Sequence, residues 1–336
     1  MKICVVGAGA IGGLMAAKFA LAGNEVTVVD QGEHLAAIQN KGLKLIWEDG
    51  SEHLVDSLTA TDSVVTAGVH DLVVLALKAH YLEAVAPDVA ALLGPETAIL
   101  TVQNGIPWWY FQRHGGPFDG LRLNTLDPTG TLGKYIPGDR IVGCVVYPAA
   151  EVSDLGVIRH VEGDRFPIGE LDGSESARVQ RLHDLFVESG FRSRVLDDIR
   201  SEIWLKAWGN LTFNPISALT HATLEGICKF PDTRRLAATM MAEAQAIAEA
   251  LGVTFRHTIE KRIAGAESVG AHKTSMLQDV EAGRSLEVEA LMGAVLELGK
   301  LTETPAPSIE AVYACIKLLN RVMVVEGVGV VTEAAA

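Results

Sequence analysis

The chain of 336 residues has only four cysteines, and aromatic side chains make up just 6% of it. Cys4, Cys144, Cys228 and Cys315 are scattered, with no C-x-x-C pair and no histidine companions, so neither a disulfide framework nor a metal site is expected. All four read as small buried apolar residues. Basic residues are outnumbered, 28 against 42 acidic, and the formal charge of −14 repels nucleic acid and anionic membrane. An anionic ligand must then be drawn in by a few local cations. No apolar run approaches membrane-spanning length, and the chain enters a strand after only Lys2 with no secretory pattern, so a cytoplasmic protein is expected. No internal repeat is visible.

What is present is a large apolar fraction, 49%, in a chain too long for one nucleotide-binding unit, which points to two domains and a sizeable core. Seven residues from the start, Gly7-Ala8-Gly9-Ala10-Ile11-Gly12-Gly13 lies between an apolar run, Ile3 to Val6, and a small-residue helix pattern, Leu14 to Leu21. A G-x-G-x-x-G loop after a strand and before a helix is a dinucleotide site. Gly7 permits the tight turn, Gly9 lets the backbone approach a pyrophosphate, and Gly12 lets helix and strand pack closely. The helix start offers N–H groups and a positive dipole end to the phosphates.

The second strand, Glu25 to Val29, ends in Asp30, where this fold reads the adenosine ribose. A carboxylate there accepts from both ribose hydroxyls and repels a 2′-phosphate, which argues for NAD(H). The alternative is that Asp30 caps the turn at Gln31-Gly32-Glu33.

Further strands are expected near Leu72 to Leu77, Ala98 to Val102, Ile141 to Val146, Val157 to Val161, Phe166 to Ile168 and Arg192 to Leu196, with a helix from Ser174 to Ser189 closed by Gly190. This is an α/β pattern, a Rossmann-type doubly wound sheet with an antiparallel extension, over residues 1–197. From Asp198 to the end, 198–336, the pattern is helical. Asp232 to Leu251, ended by Gly252, is apolar on more than one face, as a central bundle helix would be, and such helices allow a homodimer. Ser308 is placed to cap a helix through Leu319, and Val330 to Ala336 reads as a frayed tail. The Gly- and Pro-rich segment 115–138 is either a flap or an ordinary insertion.

A second informative segment runs from Ile203 to Pro215. Lys206, Asn210 and Asn214 recur every four residues, so a helix sets a lysine and two amides along one stripe among apolar neighbours. Asparagine is a poor helix former, so the stripe reads as a polar pocket in preference to a solvated surface. Pro215 is expected to disturb the helix and leave Asn214 at an irregular position.

With these motifs stand Leu77-Lys78-Ala79, Gln103-Asn104-Gly105, and Ser275-Met276-Leu277-Gln278-Asp279 followed by Glu287. Together with the glycine loop and the Lys-x3-Asn-x3-Asn stripe, over nearly the whole length, they make the chain resemble the ketopantoate reductase family, in the group with a 6-phosphogluconate-dehydrogenase-like helical C-terminal domain. The resemblance implies reduction of ketopantoate to pantoate, a step of pantothenate biosynthesis, with hydride passing from NADP(H) to the keto carbon. It implies Lys206 as proton donor, and a partly desolvated lysine suits general acid work. It further implies that Asn210, Asn214 and Ser275 hold the substrate, that Asn104 touches nicotinamide ribose and substrate, and that Lys78 and Glu287 serve the cofactor, Glu287 also orienting Lys206. Read without the resemblance, Lys78 and Glu287 are equally surface charges, Asn104-Gly105 a turn, and Ser275 a helix cap.

Two departures stand out. The family commonly carries a basic residue after the second strand, where this chain has Asp30-Gln31, and a third amide is replaced near Leu224, with His221 and Thr223 beside it. A less polar wall, to which Trp108-Trp109-Tyr110 could add, would suit a branched or aromatic 2-keto acid, as in NAD-dependent D-2-hydroxyacid dehydrogenases. No histidine pairs with an acid in the manner of a His-based dehydrogenase; His160 reads as a strand residue and His221 as a pocket neighbour. A dinucleotide sensor that has lost catalysis is the third alternative.

Overall fold

Runs rich in valine, isoleucine and leucine build the first of two units, Met1–Gln103 with Trp108–Ile199; the second takes Asn104–Pro107 and the chain from Arg200 onward. The computed structural model describes residues 1–329, so the expected tail at 330–336 lies outside the described residues. The strands of the first unit are β1 (Lys2–Val6), β2 (Glu25–Val29), β3 (Leu43–Ile46), β4 (Glu52–Val55), β5 (Thr59–Thr61) and β6 (His70–Leu75). They continue as β7 (Leu93–Thr101), β8 (Ile141–Cys144), β9 (Ala149–Asp154), β10 (Val157–Glu162) and β11 (Ile168–Glu170).

Seven of them form a sheet in the order β11-β8-β7-β6-β1-β2-β5, parallel except for β11, which pairs antiparallel with β8. This is the expected doubly wound sheet with its antiparallel extension. The register sets Ile3 beside Val26 and Leu72, and Ile99 beside Ile141. Side chains on both faces are buried, Ile3 and Val5 on one and Cys4 between them on the other, as a parallel sheet requires. Burial pushes the Cys4 thiol up to about 12, so it is inert at neutral pH.

A second sheet, β4-β3-β10-β9, went unread in the sequence apart from β10, because its strands are short and carry polar or charged residues. It explains the helix that follows the glycine loop. Helix Ala10–Leu21 packs on β1 and β2 and also on β3, β9 and β10, so Gly12 through Ala20 are buried and the helix needs apolar residues on every side.

Several expectations are corrected. Arg192 to Leu196 forms isolated bridges to Arg165 and Ile168 without a strand, and the strand expected at Phe166 begins two residues later. Trp108, Trp109 and Tyr110 are core residues of the first unit, the Trp109 indole donating to Thr101 Oγ1 at 2.9 Å, and so build no ligand wall. Segment 115–138 is a run of turns ending in helix Thr131–Tyr135, fixed by the buried Asp127 carboxylate, which accepts from Leu132 N and Gly133 N at 2.9 and 3.0 Å.

The second unit is helical: Ile199–Thr220 leads into Leu224–Lys229, Pro231–Ala250, Ile259–Ser268, Ser275–Glu281, a π-helical turn at Glu289–Gly293, Ala294–Leu301 and Pro307–Val325. Helix Ile199–Thr220 carries Pro215, where a local kink is expected, in its interior and continues past it. Proline removes one donor from the ladder, and here the packing of Trp204, Trp208, Leu211, Phe213 and Ile216, all buried, outweighs that loss. The Trp208 indole donates to Met241 O at 2.8 Å, tying this helix to the central one. Ser308 does not cap the last helix: Pro307 starts it, and Glu243 from the central helix accepts from Ser308 N and Ile309 N, both at 3.0 Å. On that helix Cys315 is exposed, against the expectation of burial. No helix of the described residues is long and apolar enough to cross a membrane, and no described cluster of His, Cys, Asp or Glu could hold a metal ion.

Candidate active site

The glycine loop of the first unit is shaped by close backbone approaches. Gly7 adopts φ 98°, and a Cβ there would stand 2.8 Å from Leu77 and 3.0 Å from Ala76 O. A Cβ on Gly12 would stand 1.8 Å from Gly7 O, so helix and loop touch only because both lack side chains. A Cβ on Gly9, by contrast, would meet nothing within 4 Å, and Gly9 is the N-cap of helix Ala10–Leu21 with no side-chain cap. The first-turn N–H groups of a helix have no acceptor within it, so this end is open to an anion.

Asp30 couples the end of β2 to the loop: Oδ2 accepts from Ala8 N at 2.8 Å, and Oδ1 accepts from Gln31 N at 2.7 Å. Each oxygen retains a lone pair, so the carboxylate is oriented without being used up. His34, absent from the sequence reading, braces the same loop. Its Nδ1 accepts from Gly156 N at 3.1 Å, which leaves the proton on Nε2 to donate to Ala8 O at 3.0 Å. No local signal marks it, because both partners are distant in the chain.

At the carboxyl end of β6, the Gln103 amide donates to Leu75 O at 2.6 Å and Leu77 O at 2.9 Å, fixing the turn that carries Lys78. Its Oε1 is buried with no partner among the described residues. An open helix terminus, an oriented carboxylate and an orphan acceptor beside the strand ends together fit a nicotinamide dinucleotide.

In the second unit, helix Ile199–Thr220 carries Lys206, Asn210 and Asn214 on successive turns. Lys206 Nζ donates to Asn104 Oδ1 at 2.6 Å, and Asn104 Nδ2 lies 3.4 Å from Glu287 Oε2. The Asn104 amide thus accepts from the lysine on one side and donates to the carboxylate on the other, so Glu287 reaches Lys206 through it. Asn214 is buried, with Nδ2 3.5 Å from Ser275 Oγ. Both long contacts have room to tighten around a ligand. Ser275 does not cap its helix; Thr274 does, accepting from Leu277 N at 3.3 Å, which leaves the Ser275 hydroxyl facing Asn214.

Asn104 is placed by its neighbour. Gly105 has φ 85°, and a Cβ there would lie 2.2 Å from Ala290 O, while Ile106 N donates to that same oxygen at 2.8 Å. Ala290 belongs to the π-helical turn just after Glu287, so one carbonyl sets both sides of the Asn104–Glu287 contact. Lys78 and the glycine loop lie in the first unit, as does His160, whose Nε2 contacts Gly163 O at 2.5 Å. His221 takes φ 58° where the long helix ends, and Leu224 opens the next helix, capped by Thr223.

Two family models match the chain: ketopantoate reductase PanE/ApbA over residues 3–107, and the ketopantoate reductase PanE/ApbA C-terminal model over 198–320. A curated Mesorhizobium japonicum protein named 2-dehydropantoate 2-reductase is 53% identical, the alignment covering 95% of this chain and 98% of that protein. A Halobacterium salinarum protein of the same name is 28% identical over 96% and 99%. Among solved structures, a candidate ketopantoate reductase from Ralstonia solanacearum is 38% identical, with a TM-score of 0.91 over 95% of this chain and 98% of that one. A D-mandelate dehydrogenase solved with NADH and anilino(oxo)acetate shares the fold at TM-score 0.82 and 24% identity, over 96% and 99%.

The Gly105 contact yields a direct test. Gly105→Ala is expected to lose at least about tenfold in nucleotide-dependent keto-acid reduction, about 1.4 kcal/mol of barrier, because the methyl must push Asn104 away from Lys206. Steady-state kinetics with a thermal-melt control decide it; an unchanged kcat/KM would refute the placement.

Proposed function

We propose that this chain, which belongs to the ketopantoate reductase family, catalyses reduction of 2-dehydropantoate to pantoate in the cytoplasm. On this reading residues 1–197 hold the nicotinamide nucleotide, and 198–336, joined by Asn104, hold the keto acid. The observation that carries it is the 2.6 Å bond from Lys206 Nζ to Asn104 Oδ1, with Asn104 turned toward Glu287 in the same unit.

A bound nicotinamide nucleotide supplies the hydride for the keto carbon. As the carbon is reduced, charge develops on the carbonyl oxygen, and the Lys206 ammonium polarises that oxygen and delivers a proton to it, leaving a hydroxyl and a neutral amine that regains its proton from solvent. Asn104 holds the ammonium by accepting one of its N–H bonds. Asn210, Asn214 and Ser275 donate to the remaining oxygens without adding charge. Glu287 keeps the Asn104 amide turned with its oxygen toward the lysine.

We assign NAD(H) as the preferred nucleotide. Asp30 supports this: its carboxylate is held at the end of β2 by Ala8 N and Gln31 N, and the residues after it, Gln31-Gly32-Glu33-His34, bring no arginine or lysine to a 2′-phosphate. The family resemblance favours NADP(H), so the two are separated by initial rates of NADH and NADPH oxidation with saturating ketopantoate. Turnover with NADH ahead of NADPH supports both assignments. Turnover only on a branched or aromatic 2-keto acid moves the chain to the D-2-hydroxyacid dehydrogenases, and nucleotide binding without turnover on any keto acid makes it a sensor.

Lys206→Ala is expected to lower kcat by about a hundred- to ten-thousandfold while nucleotide affinity, read by fluorescence titration, stays the same. An equal loss of nucleotide binding would remove Lys206 from the acid's role. Asp30→Ala with Gln31→Arg is expected to shift the NADPH-to-NADH ratio of kcat/KM upward by about tenfold or more, the effect of one charged contact. Because Asp30 also accepts from Ala8, Gln31→Arg alone is measured beside it; an unmoved ratio in both would mean that another residue reads the ribose.

A further inference from the structure

Helix Gly32–Lys41 begins two residues after Asp30 and carries His34, half-buried, on its first turn. The imidazole has two partners, both in the first unit and both distant in the chain. Gly156 N, in the turn between β9 and β10, donates to Nδ1 at 3.1 Å, and Nε2 lies 3.0 Å from Ala8 O. A backbone N–H can only donate, so Nδ1 presents its lone pair, the proton sits on Nε2, and Nε2 donates to Ala8 O. Both ring nitrogens are used, and rotating the ring breaks both bonds.

The supporting end is itself fixed. Gly156 has φ 72°, and its carbonyl accepts from Lys44 N of β3 at 2.9 Å. A Cβ on residue 156 would stand 3.2 Å from Ala37 Cβ, three residues after His34 on the same helix. The turn of the second sheet therefore rests on the helix that presents the imidazole.

The other end has a directional consequence. A trans peptide group is planar, with its C=O and N–H pointing opposite ways. His34 holds the carbonyl of the Ala8–Gly9 peptide, so the Gly9 N–H points away from the imidazole. That N–H has no acceptor among the described residues, and a Cβ on Gly9 would meet nothing within 4 Å. Asp30 holds the preceding peptide through Ala8 N at 2.8 Å. Two successive peptide planes are thus fixed, one by a carboxylate and one by an imidazole. The donor they leave over is one that an anion at the helix start can use.

We infer that His34 is a positioning residue of the nucleotide site: through Ala8 O it aims the Gly9 N–H at the pyrophosphate of the bound nucleotide, with the second sheet as its support. The inference rests on the nucleotide-binding part of the reductase reading above. A ring that only filled space would be replaceable by another ring, whereas one that orients a donor needs its acceptor and its N–H.

The test is calorimetric titration of the full chain with ADP-ribose, which carries the pyrophosphate, and with adenosine, which lacks it, beside a thermal-melt control. His34→Phe keeps a ring and loses both bonds. It is expected to weaken ADP-ribose binding by about five- to tenfold, the effect of one hydrogen bond, and to leave adenosine binding the same. His34→Gln, whose amide sets an acceptor and a donor side by side as the two ring nitrogens do, is expected to recover most of the loss. Unchanged ADP-ribose affinity in His34→Phe, equal losses on ADP-ribose and adenosine, or a glutamine no better than phenylalanine would overturn the role of His34. Wild-type protein that binds neither ADP-ribose nor NADH would instead overturn the nucleotide reading on which it rests.

Discussion

A single backbone oxygen, that of Ala290, stands where a side chain on residue 105 would have to be. It also accepts the N–H of Ile106, so the four-residue stretch Asn104–Pro107 is fastened to the helical unit although the chain directly on either side, to Gln103 and from Trp108 to Ile199, belongs to the other. What the helical unit offers chemically depends on that fastening. Asn104 carries the oxygen that accepts from Lys206 Nζ, and its amide nitrogen faces Glu287, two residues before the π-helical turn that supplies Ala290. A conventional α-helical turn there would direct the carbonyl along the axis to a residue four positions on; the wider turn accompanies a carbonyl that serves a neighbouring loop.

The same economy recurs in the first unit. Gly7 and Gly12 allow a loop oxygen and a helix to meet at a distance no side chain permits, and Asp30 and His34 pin the intervening Ala8 from both its N–H and its carbonyl. Gly9 between them stays open, a Cβ there meeting nothing within 4 Å. In both units a polar group is held beside backbone contacts that only glycine tolerates. Such contacts leave little freedom in where the polar group points, which is what a site needs if its donors are to be in place before charge develops.

Much of this was legible from residue order. The glycine loop lies between a strand and a helix, and the four-residue spacing of Lys206, Asn210 and Asn214 survives as a stripe on one helix. What failed to show is instructive. Strands β4, β5 and β9 lie at sheet edges and hold sequences such as Glu52-His53-Leu54-Val55, without the apolar run that marks a buried strand. Pro215 argued for a local kink, and burial of the surrounding tryptophans and leucine carries the helix past it. His34 and the grouping of Asn104 with the helical unit depend on contacts between residues 26 and 102 or more positions apart in the chain, and no local pattern encodes those.

The central claim is that Lys206, held by Asn104, gives the proton to the reduced oxygen. The pH dependence of kcat for keto-acid reduction tests it most directly, measured on the wild type and on Lys206→Arg, whose guanidinium stays protonated across the range. A rate that falls at high pH through a single ionisation in the wild type, with that limb absent from the residual activity of the variant, is the result the account predicts. The same high-pH limb in both proteins would assign the proton to another group and contradict it.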